Sequence, residues 1–413
     1  MASRLGRLLL ALGTVLVAGC AATRAVYAPG GDLPYPMREP PKAEEIVHVP
    51  TGLAISFEGM MDMIAGARLV CIGETHDNLH SHRVELMILR ELFRRYPGKI
   101  AVGMEMFREP DQEILDRWTR GELSELEFLK AVKWYENWGS DFGYYRDILD
   151  FARENRIDVI ALNPSKDLQQ AVAGAGLDNV PEELRRKLPE IDETDPWQRA
   201  VLRGVFEGHA GHGRGDESFA SFYRVQLLWE ETMAQRVVDY LKSPRGEGKR
   251  MVTITGGWHV KYGFGLPKKV VRRLPIPYAI LLPEEISTPE QKEGRLMRVE
   301  LPEVPLLPAH FTWYVPFESI EERRVRMGIR MEEREGRLFV VSVVPESPAD
   351  KAGIAKGDEL VAFDGHPLKE SADVYFRVGE KRAGDAVQVT VRRGGEEKPL
   401  PLTFFRMPKQ KAH

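Results

Sequence analysis

The chain has 413 residues, 43% apolar and 29% charged, with 58 basic against 62 acidic side chains and a net charge of −4. This length favours two or three domains over one, and the composition is that of a folded chain, not a disordered one. Balanced charge gives no general nucleic-acid-binding surface, and two cysteines make neither a disulfide scaffold nor a Cys-based zinc finger.

Residues 1–19 carry Arg4 and Arg7, then an apolar stretch from Leu8 to Val17. That stretch is short of the ~20 residues that span a bilayer and reads as a secretory signal, set aside for fold reasoning. It ends in Val17-Ala18-Gly19-Cys20, which resembles a bacterial lipobox. The resemblance implies that Cys20 is lipidated with palmitate-type chains and anchors the mature chain in the bacterial cell envelope. Ala21 after it resembles the outer-membrane sorting pattern. Acyl chains contribute ~0.8 kcal/mol per buried methylene, so several of them anchor a protein without a spanning helix. Cys71 would then be the one remaining thiol. Residues 20–43 are rich in Gly and Pro and read as a tether.

From 44 to 284, helix and strand patterns alternate. Ser56 to Ala67 predicts a helix with Met60, Met63 and Ile64 on one side. Leu69 to Ile72 is a buried strand stopped at Gly73. His80 to Tyr96 is a helix ended by Pro97-Gly98, and Lys99 to Met106 is the next strand. Helices follow at 111–120, 124–133 and 144–155, then the strand Asp158 to Leu162. A short helix begins at Pro181 and a long one covers Phe219 to Leu241. Met251 to Thr255 is a strand closed by Gly256-Gly257, and Ile276 to Leu282 is the last. Such alternation predicts an α/β fold, a three-layer α/β/α domain on a mostly parallel sheet whose ligands sit at the carboxyl ends of the strands. Residues 285–319 hold several prolines and read as a connection.

Residues 320–407 differ, with short β runs at 338–344 and 360–365 and a hairpin near 386–395. The stretch from Val343 to Leu360, with Ser347-Pro348-Ala349, Ala352-Gly353-Ile354 and Gly357-Asp358, resembles the signature of bacterial PDZ domains. That resemblance implies a small β-rich fold that captures the C-terminal peptide of an envelope protein. Met327, Gly328 and Ile329, with Arg326 beside them, look like its carboxylate-binding loop. Such a domain can also serve only to hold an assembly together.

Four motifs in the first domain could carry chemistry. Gly73-Glu74-Thr75-His76-Asp77 and Glu105-Met106-Phe107 end two strands. Gly256-Gly257-Trp258-His259 leads into Lys261-Tyr262-Gly263-Phe264-Gly265. Gly208-His209-Ala210-Gly211-His212-Gly213 is a glycine-rich loop with two histidines. Three strand ends therefore deliver Glu or His to one rim. A divalent metal ion could take His76, Glu105 and His259, with Glu74 as general base for hydrolysis. Haem would need an axial donor, and tyrosinate is a hard oxygen suited to ferric iron. Trp134, Tyr135, Trp138, Tyr144 and Tyr145 form a second aromatic cluster that reads as core packing.

Taken in order with Ile160 to Asn163, Gln226 and Met233-Ala234, these motifs from about 50 to 283 resemble the ChaN-like haem-binding lipoproteins. The resemblance implies a lipid-anchored haem (Fe protoporphyrin IX) protein of iron acquisition, an outer-membrane haem receptor as partner, and a homodimer joined by two stacked haems. Carried over by motif, the iron ligand is Tyr262, and the histidine from the other subunit is His209, or else His212. Where the family has Asp before Met-Ala, this chain has Glu230 and Glu231, and it adds the PDZ region. The broader superfamily includes hydrolase-like proteins, so the alternative using Glu74, His76, Glu105 and His259 stays open. An envelope adaptor acting through the PDZ region is a third reading.

Overall fold

The computed structural model describes residues 40–208, 216–286 and 306–407. Their contacts divide into two units, one of residues 40–75, 83–110 and 158–317, the other of residues 76–82, 111–157 and 318–407.

The first unit is built on eight strands. They are β1 (Ile46–His48), β2 (Leu53–Ile55), β3 (Leu69–Glu74), β4 (Ile100–Arg108), β5 (Asp158–Asn163), β6 (Arg250–Gly256), β7 (Tyr278–Glu285) and β8 (Phe311–Val315). The sheet order is β2-β1-β8-β7-β3-β6-β4-β5. The six strands from β8 to β5 run parallel, and β1 pairs antiparallel with β2 and β8. Every residue of β3 is buried, as a strand covered on both faces requires. Cys71 lies in the middle of β3, and burial pushes its thiol up to about 12, the Thr253 hydroxyl drawing it slightly back.

Helices begin where the sequence supplies an acceptor for the first amides. Ser56 caps Phe57–Ile64, its hydroxyl accepting from the Gly59 amide at 3.1 Å. Asp195 accepts from the Trp197 and Gln198 amides at the start of Pro196–Gly208. Pro267 sits in the first turn of Leu266–Arg273, where a missing N–H costs nothing. The long helix Asp216–Lys242 buries Met233, Ala234, Val237 and Val238 in the same core as β3 and β6.

One expectation is corrected. Residues 285–319 are not wholly a connection, because Phe311–Val315 inside them is β8, hydrogen-bonded between β7 and β1. Its aromatic and β-branched residues (Phe-Thr-Trp-Tyr-Val) suit a buried strand, and the prolines before it mask that pattern.

The second unit contains the helices of 111–157 and a six-stranded antiparallel sheet, β9 (Ile329–Arg334), β10 (Arg337–Val343), β11 (Glu359–Phe363), β12 (His366–Pro367), β13 (Ala386–Arg393) and β14 (Glu396–Thr403). Trp134, Tyr144 and Tyr145 are buried, with Phe142 packed against Trp134, so most of the aromatic cluster is core, while Tyr135 and Trp138 are partly exposed. Lys130 of the helix Glu125–Ala131 pairs with Glu370 at 2.8 Å and Asp373 at 2.6 Å, at the start of the helix Ser371–Gly379. The Tyr135 and Tyr375 rings meet at a tilt of 50°, with centres 5.0 Å apart.

Candidate functional site

The parallel register puts the chemistry at one rim. Glu74 at the end of β3 is the partner of Gly256 at the end of β6, and Met104 of β4 is level with Ile254 of β6. Glu105 and the loop after Gly256 therefore start from neighbouring strand ends. Gly73 allows that loop to sit down, since a Cβ there would lie 2.6 Å from Val260 Cγ2 and 2.8 Å from Gly257 Cα.

Glu105 and His259 meet as the strand-end reasoning expects. His259 Nε2 is 3.6 Å from Glu105 Oε1, and the other Glu105 oxygen accepts from the Gly256 amide at 2.7 Å. Asn163 at the end of β5 donates to the Glu105 carbonyl at 2.7 Å. The opposite ring nitrogen, Nδ1, faces Glu230 Oε1 at 3.5 Å. His259 is 6% exposed and Glu230 1%. Burial alone would pull the imidazole down, but Glu105 and then Glu230 push it up to about 10. A buried imidazolium between two carboxylates is the result.

A wider charge network backs this trio. Lys269 lies 3.5 Å from Glu230 and donates to Gln198 Oε1 at 2.8 Å, and Gln198 donates to Glu230 Oε2. Glu231 is held by Arg272 at 3.0 Å and Arg273 at 2.6 Å. The sequence reading did not assign these residues a role. The available signal was an acidic pair, Glu230-Glu231, inside an otherwise apolar stretch of a long helix.

Tyr262 sits beyond the trio on the same loop. It is half-buried, with φ 61° and ψ 0°, and Gly263 follows at φ 76°. A bulky residue in left-handed backbone costs roughly 1–3 kcal/mol, and such strain gathers at functional sites. The Tyr262 amide donates to the Pro308 carbonyl at 2.8 Å. Among the described residues no hydrogen bond reaches its hydroxyl. Burial pushes the phenol upward, Lys261 pulls it back and Glu284 adds to the rise. Phe264 lies 6.4 Å from its ring, and the Lys261 ammonium, paired with Glu284 at 2.9 Å, sits 5.6 Å over the Trp258 ring.

Other expected site residues fall elsewhere. Glu74 is 3% exposed, with its carboxylate within 4.8 Å of that of Glu85. Among the described residues, Glu74, Glu105 and His259 do not bring three ligand atoms to one point. Glu105 and Glu230 reach opposite nitrogens of His259, so one ion could not sit between the ring and both carboxylates. His76 belongs to the second unit, its ring edge against Trp138 at 5.0 Å. His209, His212 and Cys20 lie outside the described residues. Met327 is buried, its carbonyl accepts from the Ala349 amide at 2.9 Å, Gly328 accepts from Val344 at 2.8 Å, and Ile329 opens β9. Strand β9 is an end strand of its sheet, and the Ser371 amide donates to Glu333 on it at 2.7 Å.

Comparison with known proteins agrees with both halves. A PDZ family model matches residues 325–403. DegP-like probable periplasmic serine endoproteases are similar over short stretches, at 32% identity over 76 residues in Marinomonas sp. and 36% over 81 in Rhizobium meliloti. Those stretches are 18% and 20% of this chain, and the chain spans about 16% of the length of those relatives. The structure of ChaN from Campylobacter jejuni, described as binding haem cofacially, is similar with a TM-score of 0.50 and 16% identity, over 65% of this chain and 95% of that one. At that identity the likeness establishes the fold. A family model described as haem-binding uptake, Tiki superfamily, ChaN matches residues 60–270. Its match across β3 to β6, the long helix and the Tyr262 loop places the chain in the ChaN haem-binding uptake family of the Tiki superfamily.

Proposed function

We propose that this is a lipid-anchored haem-binding protein of iron acquisition, with Tyr262 as the axial ligand and a PDZ module that captures the C-terminal peptide of an envelope protein. The observation that carries the reading is Tyr262 itself, a half-buried phenol held in left-handed backbone on the strand-end rim. The donor set fits the group, since a phenolate oxygen is a hard donor for ferric iron, and Trp258 and Phe264 offer aromatic surface for a macrocycle. When bound, haem supplies a ferric centre that draws the phenol toward its deprotonated form. The chain's own part is to hold Tyr262 on the rim loop, to place the Lys261 cation near that ring, and to anchor the loop by burying Val260 and Leu266 in the core.

The cofactor is taken to be Fe protoporphyrin IX. By analogy with the cofacial arrangement in the Campylobacter jejuni protein, two subunits would face each other across stacked haems, with His209 or His212 contributed from the second subunit. An outer-membrane haem receptor is the matching partner. The test is a hemin titration of the purified chain. The wild type is expected to give a high-spin tyrosinate spectrum that Tyr262→Phe abolishes; an unchanged spectrum in that variant removes the ligand assignment.

The hydrolase reading is weaker here on a specific observation. Glu105 and Glu230 face opposite nitrogens of His259, and among the described residues Glu74, Glu105 and His259 do not bring three ligand atoms to one point.

A further inference from the structure

The ionic trio has no task in the ligand chemistry, yet it sits under the loop that carries the ligand. That loop, residues 256–265, is pinned at four places. At its start, the Gly256 amide donates to Glu105 at 2.7 Å. In its middle, His259 is held 3.6 Å from Glu105 and 3.5 Å from Glu230. At its end, Gly265 packs so closely that a Cβ would lie 2.3 Å from the His259 carbonyl and 2.8 Å from Glu230 Oε1. At its crest, the Tyr262 amide donates to Pro308. Glu105 comes from β4 and Glu230 from the long helix Asp216–Lys242, so the imidazole ties the loop to two independent elements.

We propose that His259, clamped between Glu105 and Glu230, is a positioning residue that fixes the turn presenting Tyr262 to haem. This rests on the assignment of Tyr262 as the iron ligand. Left-handed backbone at Tyr262 persists only where surrounding contacts over-determine it, and the clamp together with the Gly265 contact supplies that determination. A neutral side chain at 259 would leave two buried carboxylates facing each other without the cation between them, and the loop would lift to let water in.

The test uses the full chain and two readouts. In the haem-free protein, hydrogen exchange of the 256–265 amides reports the pinning directly. With hemin, affinity and the tyrosinate band report the ligand. His259→Gln is expected to accelerate exchange across 256–265, to weaken hemin binding by about 10–100-fold, as loss of a supporting partner behind a metal ligand does, and to distort the band. Glu105→Gln keeps the side-chain volume and an acceptor for the Gly256 amide, and it is expected to do the same more mildly if His259→Gln does not fold. Met61→Ala, in the helix Phe57–Ile64, serves as a variant destabilised elsewhere and is expected to retain both loop protection and spectrum. Wild-type exchange and spectrum in His259→Gln would overturn the positioning role while leaving Tyr262 as ligand. Equal losses in Met61→Ala would also overturn it, since the effect would then be general instability. A Tyr262→Phe variant that keeps the band removes the ligand assignment, and the role of His259 in presenting it goes with it, whatever the exchange shows.

Discussion

At the scale of single residues, the buried imidazolium carries a pH signature. The folded value of about 10 stands above the ordinary 6.5, so the proton is held more tightly in the native state than in the unfolded one. The stabilisation it contributes is complete below about pH 6.5 and is lost as pH climbs through about 10. Urea unfolding of the wild type at about pH 6 and about pH 9 is expected to show the decline, and His259→Gln is expected to flatten it. Lys269 also faces the trio, 3.5 Å from Glu230. Glu105 and His259 were legible in the sequence because each follows an apolar run that ends in a strand. Glu230 was marked only by the acidic pair it forms with Glu231, and Lys269 was not legible because the basic residues of its helix mask the buried stripe. Tyr262 was singled out only through its motif, since left-handed backbone in a non-glycine residue has no sequence marker.

At the scale of elements, the helix Ser371–Gly379 is held at its first turn by Lys130. Asp373 also accepts from the Lys369 and Glu370 amides, so its carboxylate both caps the helix and meets the ammonium. Its side chain is 6% exposed, between the case of an open surface pair and that of a fully buried one. Lys130→Met is expected to cost about 1–3 kcal/mol and to speed exchange in 371–379, measured by thermal unfolding and hydrogen exchange of the full chain. This helix escaped the sequence reading, as did Pro196–Gly208 and Leu266–Arg273. In Leu266–Arg273 four basic residues in eight mask the buried stripe of Leu266, Lys269 and Val270. Strands β3, β5 and β6 were legible because strands buried on both faces are apolar along their length.

At the scale of the molecule, the order of the two domains was plain in the change of rhythm from alternating helices and strands to short β runs. The grouping of 111–157 with the C-terminal residues was not, since it depends on contacts such as Tyr144 with Ser319 at 2.9 Å, which link segments far apart in the chain. No described helix is long and apolar enough to cross a membrane. Membrane attachment, as proposed, is through Cys20. Cys20→Ser is expected to move the chain from the membrane fraction to the soluble fraction of envelope extracts, and a variant still sedimenting with membranes would refute the anchor.

Strand β8 decides where this chain can be severed. Truncation at Glu285, which composition invites, would leave β7 with β3 alone and part the β1–β2 hairpin from the sheet. A row of unsatisfied amides and carbonyls would then lie open as a template for other chains to add to. A shortened protein that keeps its parallel sheet sealed has to extend past Val315.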